Sequence, residues 1–67
     1  MHKVLESWIV RLEHVTAIGL AHVIPGRPNM LQFEIHMLGG NTLNIVGQEK
    51  ELKAAREDLI NACHAFN

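Results

Sequence analysis

One cysteine, Cys63, stands among the 67 residues, so no disulfide can close within the chain. Tyrosine is absent, and the aromatic side chains amount to one tryptophan (Trp8) and two phenylalanines (Phe33 and Phe66). Few rings are therefore on hand for stacking nucleic-acid bases. Positive charge is equally sparse, with six Lys and Arg against seven Asp and Glu and a formal net charge of −1. Lys3, Arg11, Arg27, Lys50, Lys53 and Arg56 are scattered rather than gathered into a stripe. That weighs against a nucleic-acid partner, because phosphate contacts supply much of such affinity. Long apolar runs are missing too. No stretch approaches the about 20 apolar residues that span a bilayer. In "MHKVLESWIVRLEHV", Glu6 and Arg11 interrupt the apolar residues, so the segment does not read as a signal peptide. The expectation is a soluble protein of the reducing cytoplasm, without a membrane partner.

What is present describes a folded chain. Hydrophobic residues make up 48% and charged residues 19%, a balance that argues for a globular domain and against disorder. Residues 1–67 make a single small domain. A chain this short buries roughly 60% of its unfolded surface and is marginal alone. Disulfides, a metal or a partner chain usually make up the difference. With the disulfide excluded, a metal or oligomerisation remains.

The clearest periodicity lies at the C-terminal end. From Glu49 to Phe66, Leu52, Ala55, Leu59, Ala62 and Phe66 recur at steps of three and four, with Ile60 and Cys63 alongside. Lys50, Lys53, Glu57, Asp58 and Asn61 occupy the other side, as in an amphipathic helix. Gly47 is the expected N-cap, and Glu49 and Glu51 suit the positive end of the helix dipole.

Upstream the period drops to two. In "MLQFEIHML", Leu31, Phe33, Ile35 and Met37 alternate with Gln32, Glu34 and His36, as in a half-buried antiparallel strand. "GGN" marks a turn and "TLNIV" alternates again, while "PGRPN" separates this pair from "AIGLAHVI". Requiring apolar groups to share a face pairs Phe33 with His22, Ile35 with Leu20 and Met37 with Ile18. A three-residue loop, Gly39-Gly40-Asn41, then pairs Met37 with Leu43 and Ile35 with Ile45. Residues 1–15 admit two readings. Trp8, Val10 and Leu12 alternate as a strand would, pairing Trp8 with His22 and Leu12 with Ile18; Leu5, Trp8, Leu12 and Val15 also fit a helix. The strand is preferred. The expected fold is α+β: an antiparallel meander of three to four strands with one C-terminal amphipathic helix packed on one face. If residues 1–15 are helical, it becomes α-β-β-β-α.

That register leaves Ala17, Gly19, Ala21 and Val23 facing away from the helix, a nearly bare row. Glycine within a strand weakens it unless something approaches closely. The expected interface residues are Ala17, Gly19, Ala21, Glu34, His36, Leu38 and Asn44, and the expected partner is a second copy of the chain, most simply in a two-fold dimer. A protein partner could also use this face.

Chemistry finds little purchase. The five histidines, His2, His14, His22, His36 and His64, show no H-x-H, H-x-x-x-H or H-E-x-x-H spacing, and Cys63 has no C-x-x-C companion. The expected register puts His22 and His36 on opposite faces. Only Glu34 and His36, joined across a subunit contact, would offer a metal ligand set. An imidazole at such a contact would loosen assembly under mild acid. Cys63 falls on the core side of the helix, where cysteine acts as a small hydrophobe. No catalytic residue and no cofactor are expected. The meander-plus-helix topology looks like that of many short bacterial and phage accessory proteins, a likeness that carries no function. The expectation is a small non-enzymatic binding or assembly module that self-associates through its sheet. The alternative is a metal- or small-ligand-binding protein with histidines at a subunit interface.

Overall fold

The structure is a computed structural model that describes residues 1–5 and 7–66. Its elements run β1 (His2–Val4), β2 (Trp8–Val10), a 3-10 turn (Leu12–His14), β3 (Val15–Ile18), β4 (His22–Ile24), β5 (Arg27–Met37), β6 (Thr42–Gln48) and α1 (Glu49–Phe66). The fold is α+β, with antiparallel sheets and one C-terminal helix packed against the larger of them. The helix occupies the expected segment. Its fully buried side chains are Leu52 and Leu59, and Ala55 and Cys63 pack against the core beside them.

β5 organises the larger sheet. Leu31, Phe33 and Ile35 are buried on its helix side and meet Ile45 of β6, Leu52 and Leu59 of the helix, and Val4 and Val10 of the N-terminal strands. β6 lies along one side of β5, and β3 and β4 lie in line along the other. Pro25 and Gly26 form the whole turn between β4 and β5, since Ile24 already faces Arg27. Gly26 has φ +81°, the value that the third position of a type II turn demands. The expected loop over "PGRPN" is thus shorter, and Pro28 and Asn29 belong to β5.

Both expected registers are corrected. β6 pairs Ile35 with Leu43 and Phe33 with Ile45, displaced by two residues from the expected alignment. Leu38, Gly39 and Gly40 make the loop inside the bond from Met37 N–H to Asn41 O, with Gly39 and Gly40 both at positive φ. A shift of two keeps every side chain on its expected face. Along β3 the partners are Ile18 with Ile35 and Ala17 with His36, and Gly19 N–H donates to Glu34 O at 2.7 Å. Along β4 they are His22 with Gln32 and Val23 with Leu31. Between these runs Leu20 and Ala21 both stand opposite Phe33. Two residues against one is a β-bulge, and it inverts the facing of everything beyond it. Ile18 therefore points toward the helix as expected, but Leu20 is 79% exposed and His22 is exposed, whereas Ala21 packs toward the core.

The N-terminal expectation is also corrected. Trp8–Val10 is a strand and the helical alternative is not adopted, yet its partner is β1, with Val4 opposite Trp8 and His2 opposite Val10. Trp8 does not pair with His22, nor Leu12 with Ile18, because 12–14 form the 3-10 turn. This hairpin and the helix are tied by His2 Nε2–H, which donates to Asp58 Oδ2 at 3.0 Å. Leu5 holds φ +53°, a costly conformation for leucine, while its side chain packs on the core. Gly47 is not a cap: it lies within β6 opposite Leu31. A β-carbon there would come within 3.1 Å of Leu5 Cδ1, so the missing side chain makes room for the hairpin.

Candidate functional site

The helix and the hairpin cover one face of the larger sheet. The other face is open, and the alternation of β5 and β6 assigns its residues: Gln32, Glu34 and His36, then Thr42, Asn44 and Val46. Beside them stand Ala17 and Gly19 of the β3 side and, beyond the bulge, His22. Of the expected interface residues, Ala17, Glu34, His36, Leu38 and Asn44 are exposed and Gly19 is half-buried. Ala21 is not on this face, since the bulge turns it inward.

The same bulge brings His22 onto the face with His36, where the expectation had separated them. They do not converge. His22 lies opposite Gln32 of β5, and His36 stands four positions further along that strand, a separation of about 13 Å. Among the described residues no group of three or more His, Cys, Asp or Glu side chains is placed to hold a metal ion. Glu34 Oε1 and His36 Nε2, at 3.5 Å, are the nearest approach to one on this face.

A polar chain crosses the three strands instead. Asn44 Nδ2–H donates to Gln32 Oε1 at 3.1 Å, and Gln32 Nε2–H donates to His22 Nε2 at 3.0 Å. The direction of that second bond makes Nε2 an acceptor, so His22 carries its proton on Nδ1, which donates to Leu20 O at 3.3 Å. Further along, Thr16 Oγ1–H donates to His36 O at 2.9 Å, and Thr42 Oγ1 lies 3.4 Å from His36 Nδ1. Apolar groups flank the polar chain, with Leu38 64% and Val46 44% exposed. Sequence reasoning placed Gln32 on this face but not among the interface residues, and it placed His22 on the opposite face. The signal was present in Gly19, since glycine within a strand often marks a bulge.

Gly19 lies on the open face opposite Glu34 of β5. A β-carbon added there would meet Glu34 N and O at 3.4 Å, the margin of ordinary van der Waals contact, and the residue is not left-handed. Nothing within the chain strictly requires glycine at this position. Elsewhere, a shallow groove between β3 and the end of the helix is lined by Thr16, Ile18, Ile60, Cys63 and His64. Burial pushes the Cys63 thiol above its ordinary pKa, which keeps it protonated and a poor nucleophile. No described helix is long and apolar enough to cross a membrane. Comparison with protein-family models, with curated proteins and with solved structures finds no match to the chain.

Proposed function

We propose that the chain is a small, non-enzymatic assembly module of the cytoplasm that self-associates through its sheet, most simply as a two-fold dimer. One observation carries this reading: the helix covers a single face of the larger sheet, and the open face is flanked by exposed Leu38 and Val46. Among the described residues eight are buried in the core beneath, from Val4 to Leu59, and a domain of this size gains from a partner. The permissive surroundings of Gly19 support the same view, as does the polar chain His22–Gln32–Asn44, whose remaining hydrogen-bonding capacity points outward to a protein surface. The test is the mass in solution by light scattering at micromolar concentration. A dimer at twice the 7.5 kDa of the chain supports the reading, and a monomer overturns it.

A second reading rests on Glu34 and His36. Their side chains lie 3.5 Å apart on the open face, and a second pair from a facing copy would complete a four-ligand metal site. Zinc titrated into the protein tests it. Heat of binding that vanishes with His36→Ala supports capture between copies, and a flat titration removes it.

A further inference from the structure

The two edges of the larger sheet are built differently. On one side the edge is broken between β3 and β4 by the bulge and ends at Pro25. Bulges and prolines are devices that keep an edge from pairing. β6 forms the other edge. It is seven residues long, TLNIVGQ, in unbroken register with β5, without proline or charge. Among the described residues no backbone hydrogen bond joins β6 to any strand but β5.

One bond sets the phase of that edge. Met37 N–H donates to Asn41 O at 2.7 Å, and this pair continues the register of His36 with Thr42. Met37 and Asn41 are thus a hydrogen-bonded pair, and such pairs alternate along an antiparallel ladder. Leu43, Ile45 and Gly47 therefore direct their backbone groups to β5. Thr42, Asn44, Val46 and Gln48 direct theirs outward. The bond from Gly19 N–H to Glu34 O agrees, since Glu34 then faces the opposite side of β5.

We infer that this edge is completed by β6 of a second copy, antiparallel about a two-fold axis at Ile45. This rests on the self-association reading above and names its surface. With the axis at Ile45, Asn44 of each copy exchanges hydrogen bonds with Val46 of the other, and Thr42 flanks Gln48. An axis at Asn44 would leave Gln48 unpaired, and one at Val46 would leave Thr42 unpaired. Only the Ile45 axis engages all four outward residues. The strand is its own complement in this register, which favours a second copy over an unrelated peptide. Net charge of −1 opposes the approach of two copies only weakly. Exposed Trp8 and Ile9 share a groove with Thr42 and Leu43, so apolar surface also stands at one end of the edge. The product is a continuous sheet with both helices on one face and both open faces joined on the other.

Amide hydrogen exchange read by NMR on the unmodified protein, alongside its mass in solution, tests the arrangement. Asn44 and Val46 amides point outward in the monomer. In the edge-paired dimer they exchange at least about tenfold slower than in dilute, monomeric protein, approaching Leu43 and Ile45. The double variant Asn44→Lys with Val46→Lys sets lysines directly opposite one another, and is expected to be monomeric with fast exchange at both positions. A dimer whose Asn44 and Val46 amides exchange freely overturns edge pairing and leaves self-association by the open face. A monomer at all concentrations overturns both.

Discussion

Arg56 of the helix donates from Nε to the carbonyl oxygen of Gly19 at 2.8 Å, tying the helix to the strand just before its bulge. The bulge disturbs the ladder locally, and a charged, half-buried donor takes up the carbonyl there. Replacing Arg56 by Met removes the donor while keeping most of the side-chain bulk. The expected loss is about 1.5–3 kcal/mol, the range for a hydrogen bond to a charged group. That is a large share of the roughly 3–5 kcal/mol that a small core supplies. A clearly lower urea midpoint is expected, with Arg56→Lys falling between the two. An unchanged midpoint would mean the contact contributes nothing.

The two non-turn glycines should respond oppositely to alanine. At Gly19 the added carbon meets Glu34 only at the margin of ordinary contact, and alanine restricts the unfolded chain. Stability is expected to stay within about 1 kcal/mol of the parent or to rise by that much. At Gly47 the same carbon stands 3.1 Å from Leu5 Cδ1 and 3.7 Å from Leu52 Cβ. Leu5 must give way while its own backbone is held at φ +53°, so overpacking of about 1–3 kcal/mol is expected. Shortening Leu5 to Ala removes the obstacle. The Gly47→Ala and Leu5→Ala changes should therefore couple by at least about 0.5 kcal/mol in a double-mutant cycle of thermal unfolding. Additive effects would place the Leu5 side chain elsewhere.

These two places also show where the sequence is readable and where it is not. The helix and the buried row of β5 are written locally, in steps of three to four and of two that no competing pattern disturbs. The bulge is not. In "AIGLAHVI", Ile18, Leu20 and Ile24 keep one phase on both sides of His22, so the apolar residues alone do not show that the phase changes between Gly19 and His22. Pairing polar His22 with polar Gln32, rather than with Phe33, would have exposed it. The N-terminal hairpin was hidden for another reason. Its turn includes a leucine at positive φ where glycine or asparagine would have announced one. The open face was legible in outline, but its membership was wrong by one inverted segment: Ala21 out, His22 in.

Helix positions should separate sharply by burial. Leu59 is fully buried among the sheet and hairpin residues, whereas Phe66 is 52% exposed although both fall on the expected apolar stripe. Leu59→Ala is expected to cost about 2–5 kcal/mol, enough to unfold much of the population at room temperature. Phe66→Ala should cost far less, since about half of that residue stays in water on folding. Far-UV circular dichroism through a urea titration distinguishes them. Similar losses at the two sites would contradict the packing of the last helical turn.

Cys63 makes stability depend on pH in a defined direction. Burial raises its thiol pKa, so the folded chain holds the proton to higher pH than the unfolded chain does. The stability is fully present below the ordinary thiol pKa of about 8.5. It falls as pH rises through that value, because the unfolded chain ionises first, and levels off above the folded pKa. Unfolding midpoints at pH 7.5 and pH 10 should therefore differ more for the parent than for Cys63→Ala, which lacks the titrating group. Reaction with a thiol-specific disulfide reagent gives the kinetic counterpart: its rate should climb with a midpoint at higher pH in the folded protein than in urea. Coinciding midpoints would mean that the thiol is already in water, outside the packing that Leu59 and Ile60 give this stretch of the helix.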